Sequence, residues 1–208
     1  MNVVRFENSI LKSNTYIVYF EKSEFVFIVD PGDGEPILNW VKNNNKSVKG
    51  ILITHSHFDH IYGVNDLSNN FPGIKIYSSI HALEGMLSAK LNGSYYTENP
   101  FIVKDENLCV VAENDTIQLF ENVIAKVIFT PGHNHDCISF EIYRFLFTGD
   151  AFIPGIKVYT KSKHADKLKA KESIIRISKQ FNNKTVICPG HGEICELGDV
   201  DISKLYAY

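Results

Sequence analysis

Between Thr54 and His60 the chain reads Thr-His-Ser-His-Phe-Asp-His, with three imidazoles and one carboxylate in the six positions from His55 to His60. Imidazole nitrogen and carboxylate oxygen are the donors that borderline divalent cations take. Crowded together without a partner, such groups are costly to bury. The preceding run, Gly50-Ile51-Leu52-Ile53-Thr54, is apolar and β-branched and predicts a buried strand. The cluster is therefore expected in the loop where a core strand ends, a good place to hold polar side chains rigidly.

Three later segments repeat one design. Phe129-Thr130-Pro131-Gly132-His133, Phe147-Thr148-Gly149-Asp150 and Ile187-Cys188-Pro189-Gly190-His191 each follow an apolar run, turn through glycine and end on one metal-competent side chain. Glycine allows the sharp turn and the close approach of backbone to a site. One such segment is uninformative. Three of them downstream of His-x-His-x-Asp-His are a strong signal.

In these residues, and in Asp30-Pro31-Gly32 before them, the chain resembles the metallo-β-lactamase superfamily. Within it the chain is most similar to the hydroxyacylglutathione hydrolase (glyoxalase II) group and its short single-domain relatives. The resemblance implies an α+β fold, an αββα four-layer sandwich forming a single domain over residues 1–208. It implies two divalent metal ions, zinc first, with iron or manganese as alternatives. His55, His57 and His133 would hold one ion, Asp59, His60 and His191 the other, and Asp150 would bridge them. Asp59 and Asp150 are the expected catalytic carboxylates. The implied reaction is hydrolysis of a small thioester, ester or lactone by a hydroxide bridging the metals, since paired cations lower the pKa of bound water and stabilise an oxyanion.

The alternative is a mononuclear iron oxygenase of the persulfide dioxygenase kind, using His55, His133 and Asp150. It leaves His57, Asp59, His60 and His191 without metal duty. Asp30 is read as a structural carboxylate beside the ligands, bonded to a ligand histidine or a turn amide. After His133 the chain carries Asn134-His135-Asp136 where many relatives have Thr or Ser and a small residue. His135 is read as loop filler, with an extra proton carrier as the alternative. His81 and His164 are each placed at a helix start.

The elements that must position these groups follow from pattern. Residues 14–20 and 25–29 predict an antiparallel strand pair, and Ile37, Leu38 and Val41 have helical spacing after Pro36. Further strands are expected at 50–54, 74–77, 108–111, 116–119, 123–129, 137–142, 145–148 and 185–188. Helices are expected over 63–69 and 81–91 and around Ile174, Ile177 and Phe181. Residues 92–107 predict a long aromatic-bearing loop. In and beyond that loop Tyr95, Tyr96, Lys157 and Tyr159 are candidate substrate-binding residues. The element order suggests two sheets with helices outside, and no Gly-x-Gly-x-x-Gly follows a strand.

The bulk numbers agree with an enzyme of small molecules. Hydrophobic content of 44% in 208 residues allows a sizeable core. A net charge of −3 without a dense basic run argues against nucleic acid as a partner. No apolar window reaches the roughly 18 residues of a membrane span. The N-terminus lacks the pattern of an export signal, and the four cysteines form no Cys-x-x-Cys pair. A cytoplasmic protein with reduced thiols is expected, with oligomerisation left open.

Overall fold

In the computed structural model, residues 1–104 and 107–206 are described; Asp105 and Glu106, from the end of the predicted 92–107 loop, lie outside the described residues. The chain forms two compact units, Met1–Val110 and Val111–Tyr208.

The first unit is a six-stranded sheet. Its strands are β1 (Asn2–Glu7), β2 (Asn14–Tyr19), β3 (Phe25–Val29), β4 (Ser47–Leu52), β5 (Lys75–Ser78) and β6 (Leu108–Val110), in that order across the sheet. β1, β2 and β3 pair antiparallel through hairpins. From β3 onward the pairings are parallel, as helical crossovers dictate. Helices α1 (Gly34–Asn43), α2 (Val64–Asn70), α3 (Ile80–Met86) and α4 (Ala89–Asn92) fill the connections. In α1, Ile37 and Val41 stand one turn apart and are buried, so one stripe of the helix meets the core. That core includes Ile17, Ile28, Ile51 and Ile76, all fully buried.

The second unit is also a six-stranded sheet. Its strands are β7 (Thr116–Phe120), β8 (Val123–Phe129), β9 (Ile138–Ile142), β10 (Phe145–Gly149), β11 (Val186–Pro189) and β12 (Cys195–Glu196), ordered β12-β11-β10-β9-β8-β7. Only β10 and β11 are parallel, and α5 (Lys167–Gln180) makes their crossover. Asp166 caps α5, accepting hydrogen bonds from the Leu168 and Lys169 amides at 2.9 and 3.1 Å. Ala170, Ser173, Ile174 and Ile177 form its buried face. Ala170, Ile174 and Ile177 join Ile128, Leu146, Phe152 and Ile187 in the core of this unit. A short helix, α6 (Ile202–Tyr206), follows.

Two expectations are corrected. The helix predicted over 81–91 is two helices, because Ser88 breaks it and caps α4 with its hydroxyl on the Leu91 amide. His164 does not start a helix: it lies in a turn ahead of the Asp166 cap. β1, β12 and α6 were not expected. Among the described residues no helix is long and apolar enough to cross a membrane.

Candidate metal centre

In the first unit β3, β4 and β5 run parallel, so their C-terminal ends share one edge of the sheet. Asp30 leaves β3 there with a left-handed backbone, φ 49°. Its amide donates to the Leu52 carbonyl at 3.0 Å. Its carboxylate accepts two hydrogen bonds from Thr54, the amide at 2.8 Å on Oδ1 and the hydroxyl at 2.6 Å on Oδ2. Burial pushes the Asp30 carboxyl up, and the neighbouring His60 and Thr54 partly offset this.

These contacts orient two histidines. The Thr54 hydroxyl spends its proton on Asp30, so the 3.1 Å contact with His55 Nδ1 has the imidazole donating. His55 Nε2 is thereby left as an acceptor. His60 Nδ1 faces Asp30 Oδ2 at 3.3 Å, and His60 Nε2 faces Asp59 Oδ2, also at 3.3 Å. The His55 ring lies 4.8 Å from that of His57 and 4.3 Å from that of His60, centroid to centroid. His55, Asp59 and His60 are buried. A 3-10 turn over Phe58–His60, closed by His60 N–H on the His57 carbonyl at 2.9 Å, packs the group this tightly.

The second unit repeats the principle. β8, β10 and β11 run in one direction, because β8 and β10 are each antiparallel to β9 and β11 is parallel to β10. His133, Asp150 and His191 follow the C-terminal ends of these three strands. Asp150 Oδ2 lies 3.4 Å from His133 Nε2 and 3.5 Å from His191 Nε2. His133 Nδ1 donates to the Tyr159 carbonyl at 3.0 Å, which leaves Nε2 as the lone-pair nitrogen turned towards Asp150.

The His133 loop is clamped by α5. Ser173 donates to the Pro131 carbonyl at 2.7 Å, and the Asp166 amide donates to the Gly132 carbonyl at 2.8 Å. Just before it, the Phe129 amide donates to Glu113 and its carbonyl accepts from Arg176, while Arg176 and Glu113 pair with each other.

Each unit thus presents imidazole Nε2 atoms as acceptors, with Nδ1 of His55 and His133 tied to oxygen behind them, and carboxylates alongside. This donor set fits divalent metal ions, whose ligand histidines have their second nitrogen held in this manner.

Sequence reasoning did not single out Asn8, Ser13, Thr15 or Thr54. The sequence shows only a polar triplet, Ser13-Asn14-Thr15, leading into an apolar strand, which reads as turn chemistry; the structure buries all three. Of the substrate candidates, Tyr95, Tyr96, Lys157 and Tyr159 all have exposed side chains. Tyr95 and Tyr96 lie in a 3-10 turn over Ser94–Tyr96, ring centroids 5.4 Å apart. Tyr159 has a role not foreseen, the backbone contact to His133.

The order of strands, glycine turns and histidines is that of a known family, and the comparison with family models confirms it. Residues 10–191 match the metallo-beta-lactamase superfamily, and the chain belongs to it. Its two mixed sheets with flanking helices are the fold of that superfamily. Among curated proteins it is similar to the hydroxyacylglutathione hydrolase of Buchnera aphidicola subsp. Schizaphis graminum, 27% identical over 88% of this chain and 64% of the relative. The chain spans just under two thirds of the length of the first such relatives. Among solved structures it is similar to the BLEG-1 B3 metallo-beta-lactamase, with 25% identity, 95% of each chain covered and a TM-score of 0.86. It is also similar to TTHA1623, solved in a di-iron-bound form, with 25% identity, 94% and 95% covered and a TM-score of 0.80.

Proposed function

We propose that the chain is a metal-dependent hydrolase in which both units work as one catalytic domain on a small thioester, ester or lactone. The observation that carries this reading is the single Asp150 oxygen held 3.4 and 3.5 Å from the Nε2 atoms of His133 and His191, the placement of a carboxylate shared between ligand sets. In our reading His55, His57 and His133 hold one ion, Asp59, His60 and His191 the other, and Asp150 both. The similarity to hydroxyacylglutathione hydrolases supports a thioester. Zinc is the proposed metal, because a donor set dominated by imidazole suits it.

When bound, two divalent cations supply water acidic enough to attack at neutral pH and positive charge for the developing oxyanion. The protein supplies orientation. Thr54 and the Tyr159 carbonyl hold the Nδ1 protons of His55 and His133, and Asp30 faces Nδ1 of His60. The catalytic carboxylates are Asp59 and Asp150, and no serine or cysteine nucleophile is required. Tyr95, Tyr96, Lys157 and Tyr159 are the proposed substrate contacts, and their exposure suits that role.

The test is metal content per purified chain, with thioester hydrolysis assayed before and after chelation. Two ions and chelator-sensitive hydrolysis are expected. One iron per chain, no hydrolysis and oxygen consumption on a persulfide would establish the oxygenase instead. The variant His57→Ala is expected to lose hydrolysis with its melting temperature retained, and full activity in it would defeat the proposal.

A further inference from the structure

Asn8, Ser13 and Thr15 are buried, at 3, 0 and 0% exposure, in the hairpin joining β1 to β2. None belongs to the ligand set, yet their hydrogen bonds lead to it along two arms. In the first, Asn8 Nδ2 donates to Ser13 Oγ at 3.0 Å, and Ser13 Oγ donates to the Asp59 carbonyl at 2.6 Å. In the second, Asn8 Nδ2 also donates to Thr15 Oγ1 at 3.1 Å, and Thr15 Oγ1 donates to the Asp30 carbonyl at 2.7 Å. Asp30 in turn faces His60.

The junction is closely packed. Asn8 Oδ1 accepts from the Asp33 amide at 3.1 Å, and Thr15 Oγ1 accepts from the Gly32 amide at 2.8 Å. The Asn8 amide occupies the space of a side chain at Gly32: a Cβ there would lie 2.2 Å from it. The hairpin itself holds Leu11 and Lys12 at φ 51° and 55°, left-handed backbone that side chains rarely adopt, and is closed by Asn8 N–H on the Ser13 carbonyl at 2.8 Å. A strained turn kept in one shape, with every donor of Asn8 committed, is a rigid mount.

We infer that Asn8, Ser13 and Thr15 are positioning residues for the second metal ion, setting Asp59 through its backbone and His60 through Asp30. This inference rests on the two-ion reading above. Oriented ligands of this kind lose affinity when the groups behind them are removed, while ligands outside the network do not.

The experiment titrates metal-free protein with zinc against a chromophoric chelator and resolves the two stepwise affinities. Ser13→Ala, which acts on Asp59 alone, is expected to weaken the second ion about tenfold to a hundredfold and leave the first unchanged. Thr15→Val, the second arm should Ser13→Ala fold poorly, is expected to weaken the second ion more than the first, because Asp30 faces His60 directly and reaches His55 only through Thr54. Ser13→Thr, which keeps the hydroxyl, is expected to restore the wild-type value. Variants that melt lower but keep both stepwise affinities would reduce the triplet to a structural role and overturn the inference. A wild type binding one ion would overturn the two-ion reading, and that result is read before any variant is compared.

Discussion

Gly132 rests directly on Ala170: a Cβ built on Gly132 would lie 2.2 Å from the Ala170 Cα and 2.6 Å from its Cβ. Gly132 also has φ 144°, in a region that side chains rarely adopt. Both costs act on one substitution, and the neighbour is helix backbone that does not yield cheaply. Gly132→Ala is expected to cost about 3 kcal/mol or more, read as a lower urea midpoint. Because His133 is the next residue, metal affinity is expected to fall with it.

Glu113 and Arg176 hold the two backbone groups of Phe129, its amide and its carbonyl. The pair is partly exposed, with 40 and 32% of the side chains accessible, so the ion pair itself contributes little. The larger loss is the bond to the Phe129 carbonyl. Arg176→Ala is expected to destabilise by about 1–2 kcal/mol, and Glu113→Gln by less. Urea unfolding of the two variants checks the order.

Asp33 supplies a pH dependence with a definite sign. Burial alone would raise its carboxyl, but hydrogen bonds from the Tyr62 hydroxyl at 2.7 Å and from Ser9 outweigh this and hold it below its ordinary value. A group lowered in the folded state contributes stability above its unfolded pKa, near 3.9, and loses it as pH falls through the folded value. The difference in melting temperature between wild type and Asp33→Asn is therefore expected to be largest at neutral pH. It should shrink as the pH falls below about 4. A difference that does not change over this range would contradict the assignment.

The cysteines are expected to differ in reactivity. All four are free thiols, and burial pushes Cys188 well above the usual thiol range. A thiol alkylates through its thiolate. In native protein at mildly alkaline pH, iodoacetamide is expected to modify partly exposed Cys109 first and Cys188 only on unfolding. Mass spectrometry of timed samples gives the order.

Much of the fold and the candidate ligands were legible in the chain, and the reason is local. An apolar run followed by glycine and a donor residue is complete within a few positions, so β8, β10 and β11 and the loops after them announce themselves, as does β4 by its apolar run into the histidine cluster. β1 and β12 were missed because one is half-buried with no clear alternation and the other is two residues long. The Asn8 network was invisible for a different cause. Its partners are 25 and 46 positions apart, as in Asn8 with Asp33 and Ser13 with Asp59. Polar residues in a hairpin look like turn residues until the distant chain is folded against them.

The hydrogen bond from His133 to Tyr159 is made to a carbonyl, while the residue is 57% exposed and its ring stands 6.4 Å from the imidazole, centroid to centroid. Every residue carries that carbonyl. The hydrogen bond that anchors the imidazole therefore does not depend on which side chain stands at position 159. Selection for a new substrate has a place to act there that leaves this backbone anchor inherited intact.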